Sequence, residues 1–222
     1  LDSLLVREVL IQNSKAIQII SIMTDFNTKS PQDGIKMEKL QIKNNSITFL
    51  AQLHSLYTSI PAAFKFSDSL IIGNNFVFQS AISLSNTTLS ITNCSFMNNE
   101  YNLRNLVQAE SNANIFITNS SFINENFGNE PMTSTVYTSG VMTYSIQYYV
   151  LFIDSSIFNN ISTSGNLFQL SSPFIIMTNN IYQNLYFKDP SFLSTYGEMI
   201  VSTSNARLPS LEQALYSEYP AI

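Results

Sequence analysis

The sequence is short of several residue types, and each shortage excludes a class of protein. It contains no Trp, one Cys and one His, and only 11% of its residues are charged, against about a quarter in typical domains. A single Cys cannot form an intrachain disulfide, which excludes a disulfide scaffold. Six Gly and seven Pro in 222 residues exclude collagen and Pro/Gly-rich linkers. Ten Lys and Arg, without a basic run, give no patch for phosphates, so nucleic acid is not an expected partner.

Long hydrophobic runs are missing as well. The most apolar stretches include Tyr148–Ile153 and Phe174–Met177, which are far shorter than the roughly 20 residues that cross a bilayer as a helix. No transmembrane helix is therefore expected. The chain opens at Leu1 without an initiator Met, and no charged segment followed by an apolar one precedes it. We therefore expect a fragment of a larger chain.

Apolar residues are nevertheless abundant. Hydrophobic residues make up 45% of the chain, including 16 Phe and 11 Tyr, which is enough to form a core and argues against disorder. Because charges are few, the polar surface must consist mainly of Asn, Ser, Thr and Gln. The length and composition together predict one folded unit.

A short motif recurs along the chain, with the pattern apolar-x-Asn-x-Ser-Phe-x-Asn-Asn. Its clear copies are Ile91–Asn99, Ile117–Glu125, Phe152–Asn160 and Ile176–Asn184, and its weaker copies are Ile42–Ile47 and Ile71–Phe76. The second apolar position of each copy serves as a marker: Ile47, Phe76, Phe96, Phe122, Ile157 and Ile181. These markers are 20 to 35 residues apart. Repeats of this length indicate a solenoid or a propeller.

The content of each copy favours a parallel β-solenoid. The copies are dense in Ile, Phe, Thr, Ser and Asn, and their alternation is that of strands broken by a bend, not that of helices. Propeller blades need Gly- or Asp-rich hairpins, which six Gly do not supply. Parallel stacking tolerates uneven spacing because extra residues leave the stack as surface loops. The expected fold is all-β, a right-handed parallel β-helix.

The motif also resembles a known group of proteins. It is similar to the right-handed β-helix arrays of the pectin-lyase type, especially the Asn- and Phe-rich repeats of large protist surface proteins and of bacterial polymorphic outer-membrane autotransporters. The resemblance covers roughly residues 40–184, and no Gly-Gly-Ala element accompanies it. It implies a stack of coils in which Phe lies over Phe and Asn over Asn.

One column of the motif has two interpretations. Asn44, Asn93 and Asn119 are aligned there, and Asp154 and Thr178 complete the column. The first interpretation is a ladder of stacked side chains that satisfies backbone groups at the bend. The second is N-glycosylation, because each of the three asparagines begins an Asn-x-Ser/Thr triplet.

Two further triplets begin at Asn86 and Asn160. They lie off the ladder column, and a stacked, inward Asn cannot carry a sugar. Asn86 and Asn160 are therefore the better candidates for glycosylation.

Catalytic and metal-binding patterns are absent from the sequence. Cys94 is expected to be a small side chain in a strand bend, and His54, which lies 40 residues away, a surface or turn residue. The enzymes of the β-helix class use clustered carboxylates, whereas the acids here are scattered. Glu100 and Glu125 are neighbours in the repeat register and are expected to line one edge. We expect no catalytic activity, no metal and no cofactor.

The longest gap between markers contains an insertion. It carries the turn-rich segment 126–131, followed by Tyr137, Tyr144, Tyr148 and Tyr149. One interpretation is a plain loop whose tyrosines pack on or cap the surface. The other is a ligand-binding insertion in which tyrosines stack on a carbohydrate.

The two ends differ. We expect a β-helix over residues 1–195, in which Val6–Leu10 and Ile17–Ile22 form degenerate coils before the coils that carry the clear motif. Residues 196–222 are expected to form a C-terminal cap or a linker, because Pro209–Tyr216 predicts a short helical turn with Ser210 as its N-cap.

The leading functional hypothesis is a non-catalytic structural or adhesive module of a large extracellular or cell-surface glycoprotein. Such a module would act as a shaft or interaction surface, and its partners would be other protein chains or neighbouring segments of its own chain. One alternative is a polysaccharide-binding or polysaccharide-active β-helix, which rests on analogy of fold alone. Another is a subunit of a large assembly whose end coils stack on other chains.

Overall fold

A computed structural model gives the fold of the chain. It describes residues 4–15, 18–24, 34–55, 62–77, 80–102, 105–110, 113–127, 142–145, 150–163, 168–170, 174–187, 193–195 and 206–207. Strands, and no helices, form among these residues.

The strands are short, and they follow one another around successive coils. Coils 1 to 3 contain β1 (Leu4–Arg7), β2 (Leu10–Gln12), β3 (Gln18–Thr24), β4 (Ile35–Glu38), β5 (Gln41–Lys43), β6 (Ser46–Ile47), β7 (Phe49–Ser55), β8 (Ala62–Ser67), β9 (Leu70–Ile72), β10 (Asn75–Phe76) and β11 (Ile82–Ser85). Coils 4 and 5 contain β12 (Thr87–Thr92), β13 (Ser95–Met97), β14 (Glu100–Tyr101), β15 (Val107–Glu110), β16 (Asn114–Thr118), β17 (Ser121–Ile123), β18 (Asn126–Phe127) and β19 (Met142–Ser145). Coils 6 and 7 contain β20 (Val150–Asp154), β21 (Ile157–Thr163), β22 (Phe168–Leu170), β23 (Phe174–Thr178), β24 (Ile181–Phe187) and β25 (Leu193–Thr195), and β26 (Ala206–Arg207) follows.

These strands build three sheets that run along the stack. Sheet A has the order β1-β4-β8-β12-β16-β20-β23, and sheet C has the order β3-β7-β11-β15-β19-β22-β25. Sheet B contains the strands between them in each coil, and β26 pairs with β24 at its end. Neighbouring strands pair in parallel, each with its counterpart one coil away. The chain is therefore an all-β parallel solenoid, and the fold class predicted from the repeat is confirmed.

Single residues with positive φ turn the chain at two corners of each coil. At the corner between sheet A and sheet B, φ lies between 48° and 56° in Glu8, Lys39, Asp68, Asn93, Asn119, Ser155 and Asn179. At a second corner, within sheet B, the left-handed residues are Asn13, Asn44, Gly73, Asn98, Asn124, Asn160 and Asn184. Asn adopts this conformation more readily than most residues. The frequency of Asn in the motif is thus explained by the corners.

Gly73 is the only glycine among the residues of the second corner. A Cβ atom built at this position would lie 2.5 Å from Oδ1 of Asn44. Here glycine satisfies both the positive φ and the close approach of a side chain from the preceding coil.

Two columns of large side chains fill the interior beneath sheet B. In one, Phe96 stacks on Phe122, Phe122 on Phe158, and Phe158 on Tyr182, with ring centroids 4.9 to 5.2 Å apart. In the other, Tyr101 lies between Phe76 and Phe127, at 4.9 and 4.3 Å. Each ring therefore gains stacking contacts in addition to burial of its apolar surface.

The register corrects the marker residues of the repeat. Ile157 and Ile181 are 37% and 39% exposed, and their neighbours Phe158 and Tyr182 occupy the interior. Ile47 and Phe76 belong to the column of Tyr101, not to that of Phe96. These predictions were wrong because the residue types in an apolar pair such as Ile157-Phe158 do not indicate which of the two faces inward. The corner at Ser155 fixes the alternation.

Strands also form at both ends of the stack. Strands β1, β2 and β3 form the first coil, which pairs with β4, β5 and β7. Ala206–Arg207 pairs with Ile181 and Tyr182, inside the region predicted to be a cap or linker. The predicted helical turn at Pro209–Tyr216 lies outside the described residues.

The stack of Phe96, Phe122, Phe158 and Tyr182 predicts that truncating one of its rings strongly lowers the free energy of unfolding. Phe122→Ala removes a fully buried ring that is stacked on both sides, and we expect the free energy of unfolding to fall by about 3 to 5 kcal/mol. Phe116→Ala is the matched control, because this ring is half-buried on the outer face of the preceding strand, β16. Urea unfolding followed by circular dichroism measures both. Equal losses would contradict the assignment of Phe122 to the core.

Candidate functional site

Asn93 and Asn119 share a column, as the motif predicts. Both lie at the first corner with exposed side chains, and the backbone N–H of Asn93 donates to the Thr118 carbonyl at 3.1 Å. The Nδ2 of Asn93 donates to Oδ1 of Asp68 in the previous coil, at 3.2 Å. These side chains therefore lie on the outside of the corner.

The rest of the predicted column is wrong. Asn44 lies at the second corner, where its N–H donates to the Ile72 carbonyl at 2.9 Å. Asp154 pairs in register with Thr118 and Thr178, one residue before the corner. Residue type does not distinguish the two corners, because Asn-x-Ser occurs at both. Only the pairing of the strands separates them.

The second corner carries an exposed amide ladder. Asn124 donates from Nδ2 to Oδ1 of Asn98 at 2.9 Å, and Asn160 donates in the same way to Asn124 at 2.8 Å. A ladder of this kind was predicted, but for other residues. It links the outer edges of three successive coils.

A second, buried ladder lies one residue further along the chain. Asn45, Asn74, Asn99 and Glu125 point into the interior and are no more than 3% exposed. Asn45 Nδ2 donates to Oδ1 of Asn74 at 2.9 Å, and Asn74 Nδ2 donates to Oδ1 of Asn99 at 3.1 Å. Asn99 Nδ2 donates to Oε1 of Glu125 at 3.1 Å. We call these four residues the buried polar column.

Each amide of the buried polar column also bonds to the backbone. Asn74 accepts the N–H of Asn45 at 3.0 Å and donates to the Ile42 carbonyl at 2.9 Å. Asn99 repeats the arrangement one coil later, with the N–H of Asn74 and the Ile71 carbonyl. Buried polar atoms are tolerated when they are paired in this way. The sequence signal was the second Asn of the pairs Asn44-Asn45 and Asn98-Asn99.

Glu125 is the last polar member of this column. In the next coil the same position is held by Ile161, whose neighbour Ser162 pairs with Asn126. Glu125 receives hydrogen bonds from the amide of Asn99 and from the Tyr101 hydroxyl, the latter at 2.7 Å on Oε2. Burial raises the pKa of Glu125 from 4.5 to about 8, although these hydrogen bonds lower it. Burial and the neighbouring carboxylate also raise the pKa of Tyr101.

Glu100 and Glu125 do not line one edge, contrary to the prediction. Glu100 is exposed and pairs with Asn126, whereas Glu125 is buried in the column of Asn99. Adjacent strand positions face opposite sides of the sheet. A register error of one residue therefore exchanges an exposed carboxylate for a buried one.

The raised pKa predicts how stability depends on pH. Between pH 4.5 and about 8 the folded state retains the Glu125 proton that the unfolded state has lost, so the free energy of unfolding falls as the pH rises. The slope from this single group is about 1.4 kcal/mol per pH unit. Glu125→Gln should flatten this part of the profile in urea titrations at pH 5, 6.5 and 8.

Glu100→Gln is the matched control, and it should leave the slope unchanged. Identical slopes in the wild type and in Glu125→Gln would show that this carboxyl is not buried as described.

A second inward polar column contains Cys94. Its other members are Ser69, Ser120, Ser156 and Asn180, all buried. The Ser120 hydroxyl donates to the Thr118 carbonyl at 2.9 Å, and it accepts the N–H of Cys94 at 3.2 Å. The Cys94 thiol donates to the Thr92 carbonyl in the same way, at 3.4 Å. Cys94 thus replaces a serine of the column, in the strand bend where it was predicted.

This equivalence predicts the effect of substitution. Burial raises the pKa of Cys94 to about 11, so thiol reagents should react only after unfolding. Cys94→Ser should change the free energy of unfolding by less than about 1 kcal/mol, because serine makes the same bonds in neighbouring coils. Cys94→Val should lower the free energy of unfolding by about 1 to 3 kcal/mol, because it leaves the Ser69 N–H without its acceptor. Urea titration compares the two variants, and equal losses would contradict this assignment.

Other predicted site residues are only partly covered by the structure. Tyr137, Tyr148 and Tyr149 lie outside the described residues. Tyr144 lies in β19 in register with Ala109, and His54 lies in β7 in register with Ser85. The ligand-binding insertion therefore stays a prediction.

The described residues contain no group of three or more His, Cys, Asp or Glu side chains placed to hold a metal ion. Within the same part of the chain, no helix is long and apolar enough to cross a membrane.

Comparisons with known proteins give little beyond this geometry. No protein-family model matches the chain, and no curated protein matches it. Among solved structures, the chain is similar to a trypsin-treated variant of QnrB1, described as a plasmid-mediated fluoroquinolone resistance protein. The two are 12% identical, and the match covers 85% of this chain and 92% of that one, with a TM-score of 0.21. A TM-score this low carries no argument, so the assignment of the fold rests on the strand pairing.

Proposed function

We propose that the chain is a non-catalytic structural module of a large extracellular or cell-surface protein, in which it acts as a shaft or an interaction surface. One observation carries the proposal: seven strands of sheet A stack in unbroken parallel register, with one strand from each coil. Parallel strands lie about 4.8 Å apart, so this stack is a rod roughly 30 Å long.

The outer faces of the rod support this role. They carry hydrogen-bonded rows of small polar side chains, such as Ser95 with Ser121 at 2.9 Å and Thr118 with Thr92 at 3.2 Å. Rows of this kind tie one coil to the next without adding charge. Side chains bonded to one another along the axis favour a scaffold over a flexible catalytic cleft.

The proposed extracellular location rests on the acceptor triplets. Four of them begin at exposed corner asparagines: Asn44, Asn93, Asn119 and Asn160. Asn86 is half-buried, and its Oδ1 atom is buried. The corner positions therefore accommodate a glycan better than Asn86 does, which reverses the burial argument made from the motif. Asn160 keeps its place among the candidates.

Secretion from a eukaryotic host tests this proposal. We expect the secreted chain to lose mass on treatment with an N-glycosidase, and a glycosidase that converts each modified Asn to Asp should mark the corner sites and not Asn86. Asn93 and Asn119 lie one coil apart, at about 4.8 Å, so steric crowding should keep most molecules from carrying a glycan on both.

Ser162→Ala provides the matched control, because it removes the acceptor triplet of Asn160 and leaves the Asn itself in place. A secreted chain whose mass is unchanged by the glycosidase would contradict the glycoprotein assignment. Retention of the folded chain inside the cell would contradict the extracellular location.

The resemblance to protist surface proteins and to polymorphic autotransporters is consistent with this proposal. The polysaccharide-active alternative has less support, since Glu125, the one fully buried carboxyl among the described residues, faces the interior and not a surface cleft. The assembly alternative shares its main requirement with the proposal, namely an end of the rod that is continued by other coils.

A further inference from the structure

The first coil ends the stack with three open edges. Strands β1, β2 and β3 are the terminal strands of sheets A, B and C. In the described part of the chain, no other strand pairs with their outer edges. An open parallel edge presents a row of backbone donors and acceptors. Here three such edges lie on the same side of one coil.

The inward side chains of this coil lack the cover that later coils have. Leu4 lies in the column of Ile35, yet Leu4 is 38% exposed and Ile35 only 6%. Val9 precedes β2 as Leu40 precedes β5, and the two are 36% and 3% exposed. One more coil on this side would bury Leu4 and Val9 as Ile35 and Leu40 are buried now.

Two outward positions of the coil are also apolar. Leu5 is 54% exposed and Leu10 is 55% exposed. In the next coil their register partners are Lys36 and Gln41. Exposed leucines at an open edge favour association.

We propose that this end of the rod binds a further parallel β-coil, carried by a segment of the same polypeptide that precedes Leu1. Its inward residues would be apolar and would lie over Leu4, Val6, Val9 and Ile11. The inference rests on the proposed role as a module of a larger protein. It is independent of where that protein is located.

A second copy of the chain fits this end less well. Turned head to head, it would run its strands antiparallel and would meet the inward columns in the reverse order around the coil. Stacked head to tail, it would have to use the far end, where β26 already pairs with the outer edge of β24. A preceding coil meets all three edges in the parallel register that the rest of the stack uses.

An extended chain tests the proposal. The first extended chain carries a copy of residues 34–62 directly before residue 3. The copied Ile35 then lies over Leu4, because the two are as far apart in sequence as Ile35 and Phe64. Hydrogen exchange of the β1 and β2 amides should then slow by at least about tenfold. A second extended chain carries a copy of residues 62–86 directly before residue 2, which gives the same register with the sequence of another coil. It keeps the test valid if one of the two extended chains does not fold.

The matched control is the first extension with the copied Ile35, Met37, Leu40 and Ile42 changed to Asn, which should give no protection. The proposal would be overturned if neither apolar extension protected β1 and β2, or if the polar control protected them equally. It would also be overturned if the unextended chain formed a dimer in light scattering with these amides already protected. The glycosidase result does not depend on this experiment, so failure here leaves the proposed location standing.

Discussion

The backbone hydrogen bonds between successive coils are the interaction on which the rest of the structure depends. At the corners, the N–H of Asn93 donates to Thr118, that of Asn119 to Asp154, and that of Ser155 to Thr178. Each bond ties a corner residue of one coil to the residue just before the matching corner of the next. Equivalent positions therefore overlay from coil to coil, and like residues stack wherever the repeat keeps the residue type.

This constraint has different consequences for different side chains. Overlay stabilises aromatic rings through stacking, because Phe96, Phe122 and Phe158 form a continuous stack. It also stabilises amides through hydrogen bonds, because each amide offers a donor and an acceptor along the axis. The amide chain ends at Glu125, because the same position in the next coil is held by the apolar Ile161. The raised pKa of Glu125 and its bond to Tyr101 follow from that position.

The same constraint leaves the ends of a solenoid different from the ends of a closed domain. A coil is complete only when it is covered on both sides, as the low exposure of Leu40 and Ile42 shows. Leu4 and Val9 show the opposite case. Function in such a protein is then expected on the outer faces and at the ends of the rod. The interior serves mainly to fix which residues reach those faces.

The sequence by itself determined the class of fold, since a recurring strand-bend-strand motif rich in Asn and Phe has few other solutions. It also placed Cys94 in a strand bend and paired Asn93 with Asn119. It did not determine register, because Asn-Asn and Ile-Phe pairs leave open which member turns the corner or faces inward. Only the tertiary structure decided that Asn45, Asn74, Asn99 and Glu125 are buried. The physical reason is that hydrogen bonds between coils up to 36 residues apart, and not local preference, set the alternation of each strand.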